Sequence, residues 1–158
     1  MHSEELYLTR TCSWRPSIRK QIPFARFGPN VLSDLTATEF KALLGSKRMN
    51  MTGVEKAEIP NVAVGDSKDW TGIATTPIKN QGQCGSCWAF SATEQNESDL
   101  MLQGGQTVVL GPQELVDCTS SGSGSYRGGC QGGFPSAAYQ VVEALGGLER
   151  ESSYPCTA

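Results

Sequence analysis

The sequence predicts a mainly helical unit, and three observations lead to that fold class. Apolar residues recur with helical period between residues 134 and 145, and the pattern ends at Gly146. Pro112 opens a second helical stretch, because proline is tolerated at the first position of a helix. A third stretch starts after Ser86 and stops at two glycines. One short apolar run, residues 108 to 110, could be a strand or an extended link.

The composition limits the class of partner. The 158 residues carry a formal net charge of -3 and contain no long basic cluster. Nucleic acid and anionic membrane surfaces are therefore disfavoured as main partners, because both attract basic proteins. No apolar run is long enough to span a bilayer. We expect peptides or proteins as partners, no cofactor, and a monomeric chain.

The cysteine content indicates an oxidising compartment. The sequence has six cysteines: Cys12, Cys84, Cys87, Cys118, Cys130 and Cys156. That number is high for a cytosolic chain and indicates disulfides in a secreted or endolysosomal protein. Residues 1 to 26, however, lack the apolar core of a signal peptide. Either the true N-terminus is absent or misread, or the protein stays in the cytosol with reduced cysteines.

Two segments of the chain lack regular periodicity. Residues 1 to 26 mix basic residues with proline and tryptophan and form an unassigned tail. Residues 46 to 68 are polar and irregular, which predicts an exposed linker open to proteolysis and a domain boundary. Between these segments the sequence predicts a short helix over residues 36 to 44, with Thr36 or Ser33 as its N-cap.

The stretch KNQGQCGSCWAFSA, residues 79 to 92, contains the start of the longest predicted helix. Ser86 is the expected N-cap, and the helix runs from Cys87 to about Gln103. Backbone N–H groups at a helix start carry partial positive charge, which stabilises a thiolate and makes Cys87 a candidate nucleophile. Asn96 falls on the apolar face of this helix, where an amide without partners costs about 1 to 3 kcal/mol.

The C-terminal third of the chain continues with a helix, a loop and a last helix. The helix opened by Pro112 covers PQELVDC and reaches Cys118. Residues 119 to 129 are rich in serine and glycine, and the cysteines at either side, Cys118 and Cys130, predict a tethered surface loop. The last helix, residues 134 to 145, packs its apolar face against the others.

Four motifs together resemble one family. CGSCW at residues 84 to 88 fits the signature around the catalytic cysteine of papain and cathepsins. Three more motifs follow in the order of that family: QELVDC at 113 to 118, GCQGGFP at 129 to 135 and GGLERESSYP at 146 to 155. Upstream, residues 27 to 45 resemble the end of an inhibitory propeptide. From about residue 27 onward, the chain is identified as a member of the papain-like cysteine proteases, similar to the cathepsin L group.

The resemblance implies an α+β fold of the papain type, in which a helical left domain and a β-barrel right domain enclose a cleft. Mainly the helical left domain is expected here, with the barrel largely missing. The implied segments are 27–45 for the propeptide end, 46–60 for the activation linker and 61–158 for the left part of the peptidase domain. The propeptide would lie in the cleft.

The resemblance also assigns residues to the site. Cys87 would be the nucleophile, and the Gln81 amide with the Cys87 backbone N–H would bind the oxyanion. The backbone of Gly132 and Gly133 would pair with bound peptide. Two residues would line the S2 pocket: Phe134 and Pro135. Gln81 without the motif would be a loop amide, and Phe134 could instead only anchor the last helix.

The resemblance also suggests disulfide partners. In the family, the counterparts of Cys84 and Cys130 form a disulfide with each other, and the same bond is expected here. The usual partner of Cys118 lies a little beyond the position of Cys156. Cys156 is therefore either that partner, displaced, or an unpaired thiol. Cys12 has no assignment.

Two other chemistries use a CxxC motif such as the one at residues 84 to 87. A zinc site would need a second close pair of ligands, and the single histidine, His2, lies in the unassigned tail. A thioredoxin-like centre would need a strand entering the motif, whereas the loop KNQGQ precedes it. Both interpretations are weaker than that of a protease, and no metal is expected.

A complete catalytic site also needs a histidine base and an asparagine, which lie about 130 to 150 residues after the cysteine in this family. Fewer residues than that follow Cys87. We therefore expect an N-terminal fragment of a cysteine endopeptidase precursor, inactive alone. The alternative is a non-catalytic, protease-like protein that binds or inhibits related proteases.

Overall fold

The computed structural model describes residues 20–26, 28–47, 52–53, 55–63, 65, 67–120 and 128–157. They belong to two compact units, Met1–Lys41 and Ala42–Ala158. Predictions for Cys12, for His2 and for most of the loop after Cys118 lie outside the described residues.

Four α-helices and one 3₁₀ helix lie wholly within the described residues. In chain order these are α1 (Ala37–Ala42), α2 (Cys87–Leu102), α3 (Pro112–Ser120), the 3₁₀ helix η1 (Gly129–Gln131) and α4 (Pro135–Leu145). Extended residues within the described ranges form only isolated bridges, between Ser46 and Gly133 and between Leu110 and Arg150. None of the helices in the described part of the chain is long and apolar enough to cross a membrane.

Helix α1 is held at its start by a capping box. The Glu39 backbone N–H donates to Thr36 Oγ1 at 3.3 Å, and the Thr36 N–H donates to the Glu39 carboxylate at 2.7 Å. Ser33 is not the cap, because its hydroxyl bonds to Asn30 in the preceding turn. The predicted helix is confirmed with Thr36 as its N-cap, although it ends at Ala42.

Helix α2 has nearly the predicted bounds and the predicted N-cap residue, but the side chain of that residue does not cap the helix. Ser86 stands at the N-cap position with φ -102° and ψ 11°, and its side chain makes no capping hydrogen bond. Cap residues normally use extended backbone angles to turn the hydroxyl toward the first N–H groups. The Ser86 hydroxyl is instead fully buried and has no hydrogen-bond partner among the described residues.

The amide of Asn96 is satisfied by its own helix. The residue is half-buried, and Nδ2 donates to the backbone carbonyl of Ala92 at 2.9 Å. This is a bond to residue i−4, which a short polar side chain makes without any tertiary partner. The amide therefore adds no link between α2 and its neighbours.

Helices α3 and α4 confirm the predicted boundary residues. Pro112 is the first residue of α3, which extends past Cys118 to Ser120. Pro135 is the first residue of α4, with Phe134 at the N-cap. Gly146 ends α4 in the left-handed conformation with φ 79°, a conformation that glycine adopts without steric cost.

The core of the second unit lies where α2, α3 and α4 meet. Its fully buried members include Trp88 and Ala92 on α2, Leu115 on α3 and Ala138 on α4. Burying a side chain the size of leucine stabilises the fold by about 1.5 to 3 kcal/mol. Because Trp88 is part of this core, the first turn of α2 has a fixed position.

The apolar run at residues 108–110 is an extended link with one bridge. Leu110 pairs with Arg150 in an antiparallel bridge, with hydrogen bonds from Gly111 N–H to Glu149 O and from Glu151 N–H to Val109 O, both 2.9 Å long. This pairing ties the segment that enters α3 to the chain that follows α4.

Candidate active site

The Cys87 thiol lies at the N-terminus of α2, half-buried and free. The structure contains the disulfide between Cys84 and Cys130, with an S–S length of 2.10 Å. The Gly85 N–H donates to Cys130 O at 3.1 Å, and the Trp88 indole N–H donates to the backbone of η1 at 3.3 Å. Contacts on both sides of Cys87 therefore join the start of α2 to η1.

The disulfide also decides between the uses of the CxxC motif. The sulfur of Cys84 is bonded to Cys130 and not to Cys87. A redox CxxC centre needs a bond between its own two cysteines, and a zinc thiolate pair needs both sulfurs free. This connectivity excludes both chemistries for the motif and leaves Cys87 as a single thiol.

Gln81 lies beside Cys87 in the wall of one groove. Its side-chain Nε2 donates to two backbone carbonyls, Cys84 O at 2.8 Å and Leu43 O at 3.0 Å. The first bond fixes the amide against the turn that precedes α2. The turn itself needs Gly82, whose φ is 62° and whose N–H donates to Asn80 Oδ1 at 3.0 Å.

The groove is open and has a volume of about 1140 Å³. One wall is the face of α2 that carries Cys87, Phe90 and Ser91, and the other is the segment from Thr71 to Gln81. Ile78 lies on the second wall and is fully exposed. The candidate nucleophile thus opens onto a cavity large enough for a ligand.

The four predicted binding residues lie together between η1 and α4. Gly132 has φ 95°, and Gly133 is buried with its Cα against the Trp88 ring, so that an added Cβ would lie 2.7 Å from the ring. Phe134 and Pro135 are both half-buried at the start of α4. The bare backbone of Gly133 is open to pairing with an extended peptide.

Residues 43 to 47 of the chain itself occupy this open backbone edge. Gly133 N–H donates to Gly45 O at 2.8 Å, and Lys47 N–H donates to Gly133 O at 3.2 Å. Ser46 and Gly133 form a parallel bridge. Residues 46 and 47 are therefore paired with Gly133, and the start of the linker at residue 46 stays a prediction. The described residues from 52 to 68 are exposed and form neither helix nor strand, as predicted.

Gly45 lies against the backbone of Gly85, just before α2, and against that of Gly132. A Cβ at Gly45 would lie 1.7 Å from the backbone oxygen of Gly85, and one at Gly132 would lie 2.4 Å from Gly45 O. Backbone atoms on both sides cannot move away as a side chain would. Glycine is therefore the residue that this crossing accepts.

A buried ion pair lies behind the groove, and the sequence reasoning missed it. Lys79 Nζ is 2.7 Å from Glu97 Oε2, and the side chains are 10% and 1% exposed. Thr76 also donates its hydroxyl to the Glu97 carboxylate. The sequence offered no clear signal, because the apolar residues of α2 are not gathered on one face and do not mark position 97 as buried. Carboxylates are almost never fully buried unless paired.

The two remaining cysteines of the described chain are free. Cys118 is exposed and Cys156 is half-buried, so the bond between them that the sequence left open is not present. Partial desolvation raises the pKa of the Cys118 thiol, and the negative charges of Glu114 and Asp117 raise it further. The described residues contain no group of three side chains able to hold a metal ion.

Comparison with known families identifies the chain. Residues 64–158 match the description "Papain family cysteine protease". The chain belongs to this family. The resemblance carried by the motif around Cys87 is therefore confirmed at the level of the family.

Curated relatives of the papain family are similar along most of the chain. "Cysteine proteinase 2" of Zea mays is 38% identical over 97% of this chain, which covers 41% of that protein. "Oryzain beta chain" of Oryza sativa subsp. japonica is 41% identical over 84% of this chain, and "Cathepsin S" of Bos taurus is 39% identical over 83%. The chain covers 29% and 40% of these two proteins. It thus spans about two fifths or less of their length.

Solved structures of papain-family precursors share the fold. A procathepsin L 3 from the larval midgut of Tenebrio molitor matches with a TM-score of 0.71 at 29% identity, over 97% of this chain and 50% of that one. A recombinant stem bromelain precursor matches with a TM-score of 0.75 at 25% identity, over 99% of this chain and 52% of that one. The predicted papain-type fold is confirmed, and the helix-rich described part corresponds to its helical domain.

Proposed function

We propose that this chain carries the nucleophilic half of a cysteine endopeptidase site, with Cys87 as the nucleophile and Gln81 as the oxyanion donor. The observation that carries the proposal is the shared groove in which a free thiol at a helix start stands beside a side-chain amide. A helix start favours a thiolate, and a fixed amide favours negative charge on a neighbouring oxygen.

The reaction begins with attack of the Cys87 thiolate on a peptide carbonyl carbon. A C–S bond forms, and the π electrons of the carbonyl move to its oxygen, which accepts hydrogen bonds from Gln81 Nε2 and the Cys87 N–H. Collapse of this intermediate breaks the C–N bond and releases a protonated amine. Water then attacks the acyl carbon, a C–O bond forms as the C–S bond breaks, and the carboxylic acid product leaves as the thiol is restored.

Two steps need a proton carrier, one to activate the thiol and one to protonate the leaving amine. The single histidine of the sequence, His2, lies outside the described residues and before the stretch that resembles a propeptide. We therefore expect this chain alone not to cleave peptides. The relatives that match are named as proteinases and cathepsins, which supports the peptidase over a non-catalytic inhibitor.

The backbone of Gly132 and Gly133 would bind an extended peptide, and Phe134 with Pro135 would form a side-chain pocket beside it. The support for this assignment is the pairing of Gly133 with residues 45 and 47, which are themselves extended chain. Segment 43–47 would be the part of the propeptide that occupies the cleft before activation. The titles of similar solved structures name a procathepsin and a bromelain precursor, both proenzymes.

The compartment that suits this chemistry is lysosomal or extracellular. The support is the bond between Cys84 and Cys130, because structural disulfides persist in oxidising compartments and are rare in the cytosol.

Labelling with a thiol-directed peptidyl epoxide tests the proposal on the full chain. The thiolate opens the epoxide, a C–S bond forms as a C–O bond breaks, and the alkoxide takes a proton from water. Peptide mapping should place the label on Cys87 in preference to Cys118 and Cys156, and Cys87→Ser should abolish it. The rate should be below that of a complete cathepsin, because no histidine assists. In denaturant the three thiols should react alike. Equal labelling of Cys118 and Cys87 in the folded chain would contradict the proposal.

A further inference from the structure

Glu97 is the most completely enclosed carboxylate among the described residues, with 1% of the residue exposed in the middle of α2. Its Oε1 accepts a hydrogen bond from the Leu110 N–H at 2.7 Å. Its Oε2 accepts from the ammonium of Lys79 at 2.7 Å and from the hydroxyl of Thr76. A buried carboxylate is costly unless such partners replace its water. The three partners come from outside α2 and meet on one side chain.

Two of these partners belong to the segment that carries the oxyanion donor. Thr76 and Lys79 precede Gln81, and all three residues line the groove at Cys87. Within the described chain, no backbone–backbone hydrogen bond joins residues 75–83 to any other residue. Ile78 in the middle of the segment is fully exposed and gives it no packing. Side-chain contacts therefore hold this segment in place. Among them, the side chains of Thr76 and Lys79 donate hydrogen bonds to the Glu97 carboxylate.

We infer that Glu97 is a positioning residue for the oxyanion site: it ties the segment 76–81 to α2 and so holds the Gln81 amide beside Cys87. The inference rests on the proposed function and deepens it. Gln81 lies in the segment 76–81, and Cys87 lies in the first turn of α2. Glu97 connects this segment to the helix. Displacement of a donor by about 1 Å costs up to about 100-fold in rate or in binding of the reacting species.

Two reagents that attack the same sulfur separate donor placement from thiol accessibility. A peptidyl aldehyde adds reversibly to the Cys87 thiolate; a C–S bond forms, and the carbonyl oxygen becomes an oxyanion that takes a proton from water. Iodoacetamide alkylates the sulfur by displacing iodide and places no charge on a carbonyl oxygen. At a pH near 9, above the usual cysteine pKa of about 8.5, both react without a base. The iodoacetamide rate also reports how far residues 43–47 cover the thiol.

The test uses the full chain, one single variant, one double variant and one matched control. Glu97→Gln keeps the side-chain shape but removes the charge that Lys79 faces. Lys79→Met combined with Glu97→Gln also removes the ammonium that the first variant leaves unpaired. Glu143→Gln is the control, because Glu143 is an exposed glutamate on α4, lies outside the lining of the groove, and its side chain makes no ion pair with the described residues.

We expect the aldehyde to bind about 10- to 100-fold more weakly to Glu97→Gln and to the double variant, with the iodoacetamide rate unchanged in both. Glu143→Gln should match the wild-type chain with both reagents. The double variant should regain unfolding stability without regaining aldehyde affinity. If aldehyde affinity returns with stability, or if both reagents slow equally, Glu97 acts only on the fold. If the aldehyde does not add to Cys87 in the wild-type chain, the proposed function itself fails, and the inference fails with it.

Discussion

The side-chain amide of Gln81 donates a hydrogen bond to the backbone carbonyl oxygen of Leu43 at a distance of 3.0 Å. The donor assigned to a substrate oxyanion is therefore engaged by a carbonyl of the chain itself. Two residues later, Gly45 pairs with Gly133, the residue assigned to substrate backbone. Residues 43 to 47 thus use two of the contacts that a peptide substrate would need.

Replacement of Gly45 by alanine should release this segment from Gly133 and Gln81. The new Cβ would lie 1.7 Å from Gly85 O, and the backbone can yield only by breaking the bond from Gly133 to Gly45 or that from Gly85 to Cys130. Each loss of about 1.4 kcal/mol in segment binding raises the open fraction about tenfold. We expect Gly45→Ala to raise the rate at which iodoacetamide labels Cys87 by about that factor or more. Ser46→Ala is the control, because Ser46 is exposed and its side chain makes no hydrogen bond with the described residues. Equal rates for Gly45→Ala and the wild-type chain would mean that the segment does not limit access.

The helices could be predicted from the sequence because their signals are local. Pro112 and Pro135 mark two helix starts and Gly146 marks an end, and each signal acts within one turn of the residue that carries it. Ser86 shows the limit of such a signal. It holds the predicted N-cap position, but its backbone angles are not the extended ones of a capping residue, and its buried hydroxyl makes no capping hydrogen bond.

The site could be predicted only in part, because some of its contacts join residues far apart in the chain. The motif contains both Cys87 and Gln81, which are six positions apart in the sequence, and both residues line one groove. The contact of Leu43 with Gln81 and that of Glu97 with Lys79 span 38 and 18 residues. No periodicity or cap signal reports contacts at that distance, and each residue taken alone looks like ordinary helix or linker.

The Thr93 hydroxyl should destabilise the fold in its present position. Thr93 is fully buried in α2, and Oγ1 has no hydrogen-bond partner among the described residues. Valine has nearly the same shape and no polar group to desolvate. We expect Thr93→Val to raise the free energy of unfolding by about 1 to 3 kcal/mol, measured by urea denaturation with the disulfide intact. Thr93→Ser keeps the hydroxyl but loses a methyl group and should be less stable than the wild-type chain. A loss of stability in Thr93→Val would mean that the hydroxyl has a partner.

The disulfide between Cys84 and Cys130 should contribute several kcal/mol to the second unit. It closes a loop with a sequence separation of 46, for which chain entropy predicts about 4 kcal/mol at 25 °C. We expect Cys84→Ala with Cys130→Ala to lose about that amount in urea denaturation. Free Cys118 and Cys156 serve as the matched control, and their double alanine variant should lose much less. Comparable losses in the two double variants would show that the disulfide adds nothing beyond packing.

The capping box of α1 should make this helix sensitive to acid. Hydrogen bonds from the Thr36 hydroxyl and backbone N–H lower the pKa of Glu39. Because the folded-state pKa is depressed, the carboxylate stabilises α1 above the ordinary glutamate pKa, and this contribution is lost as the pH falls through the lowered value. The ¹³Cα shifts of Ala37 and Ala42 should therefore move toward coil values between about pH 6 and pH 3, on either side of the ordinary glutamate pKa of about 4.3.

Two controls separate this local effect from general acid unfolding. Glu39→Gln cannot titrate, so its α1 shifts should stay constant over the same pH range and lie between the two limits of the wild-type chain. Ala138, buried in α4, reports the core of the second unit and should keep its helical shift while α1 changes. If the shifts of Ala37, Ala42 and Ala138 change together, acid acts on the whole fold, and the capping box has no separate role. If the α1 shifts do not change at all, the Thr36 hydrogen bonds contribute too little to hold the helix.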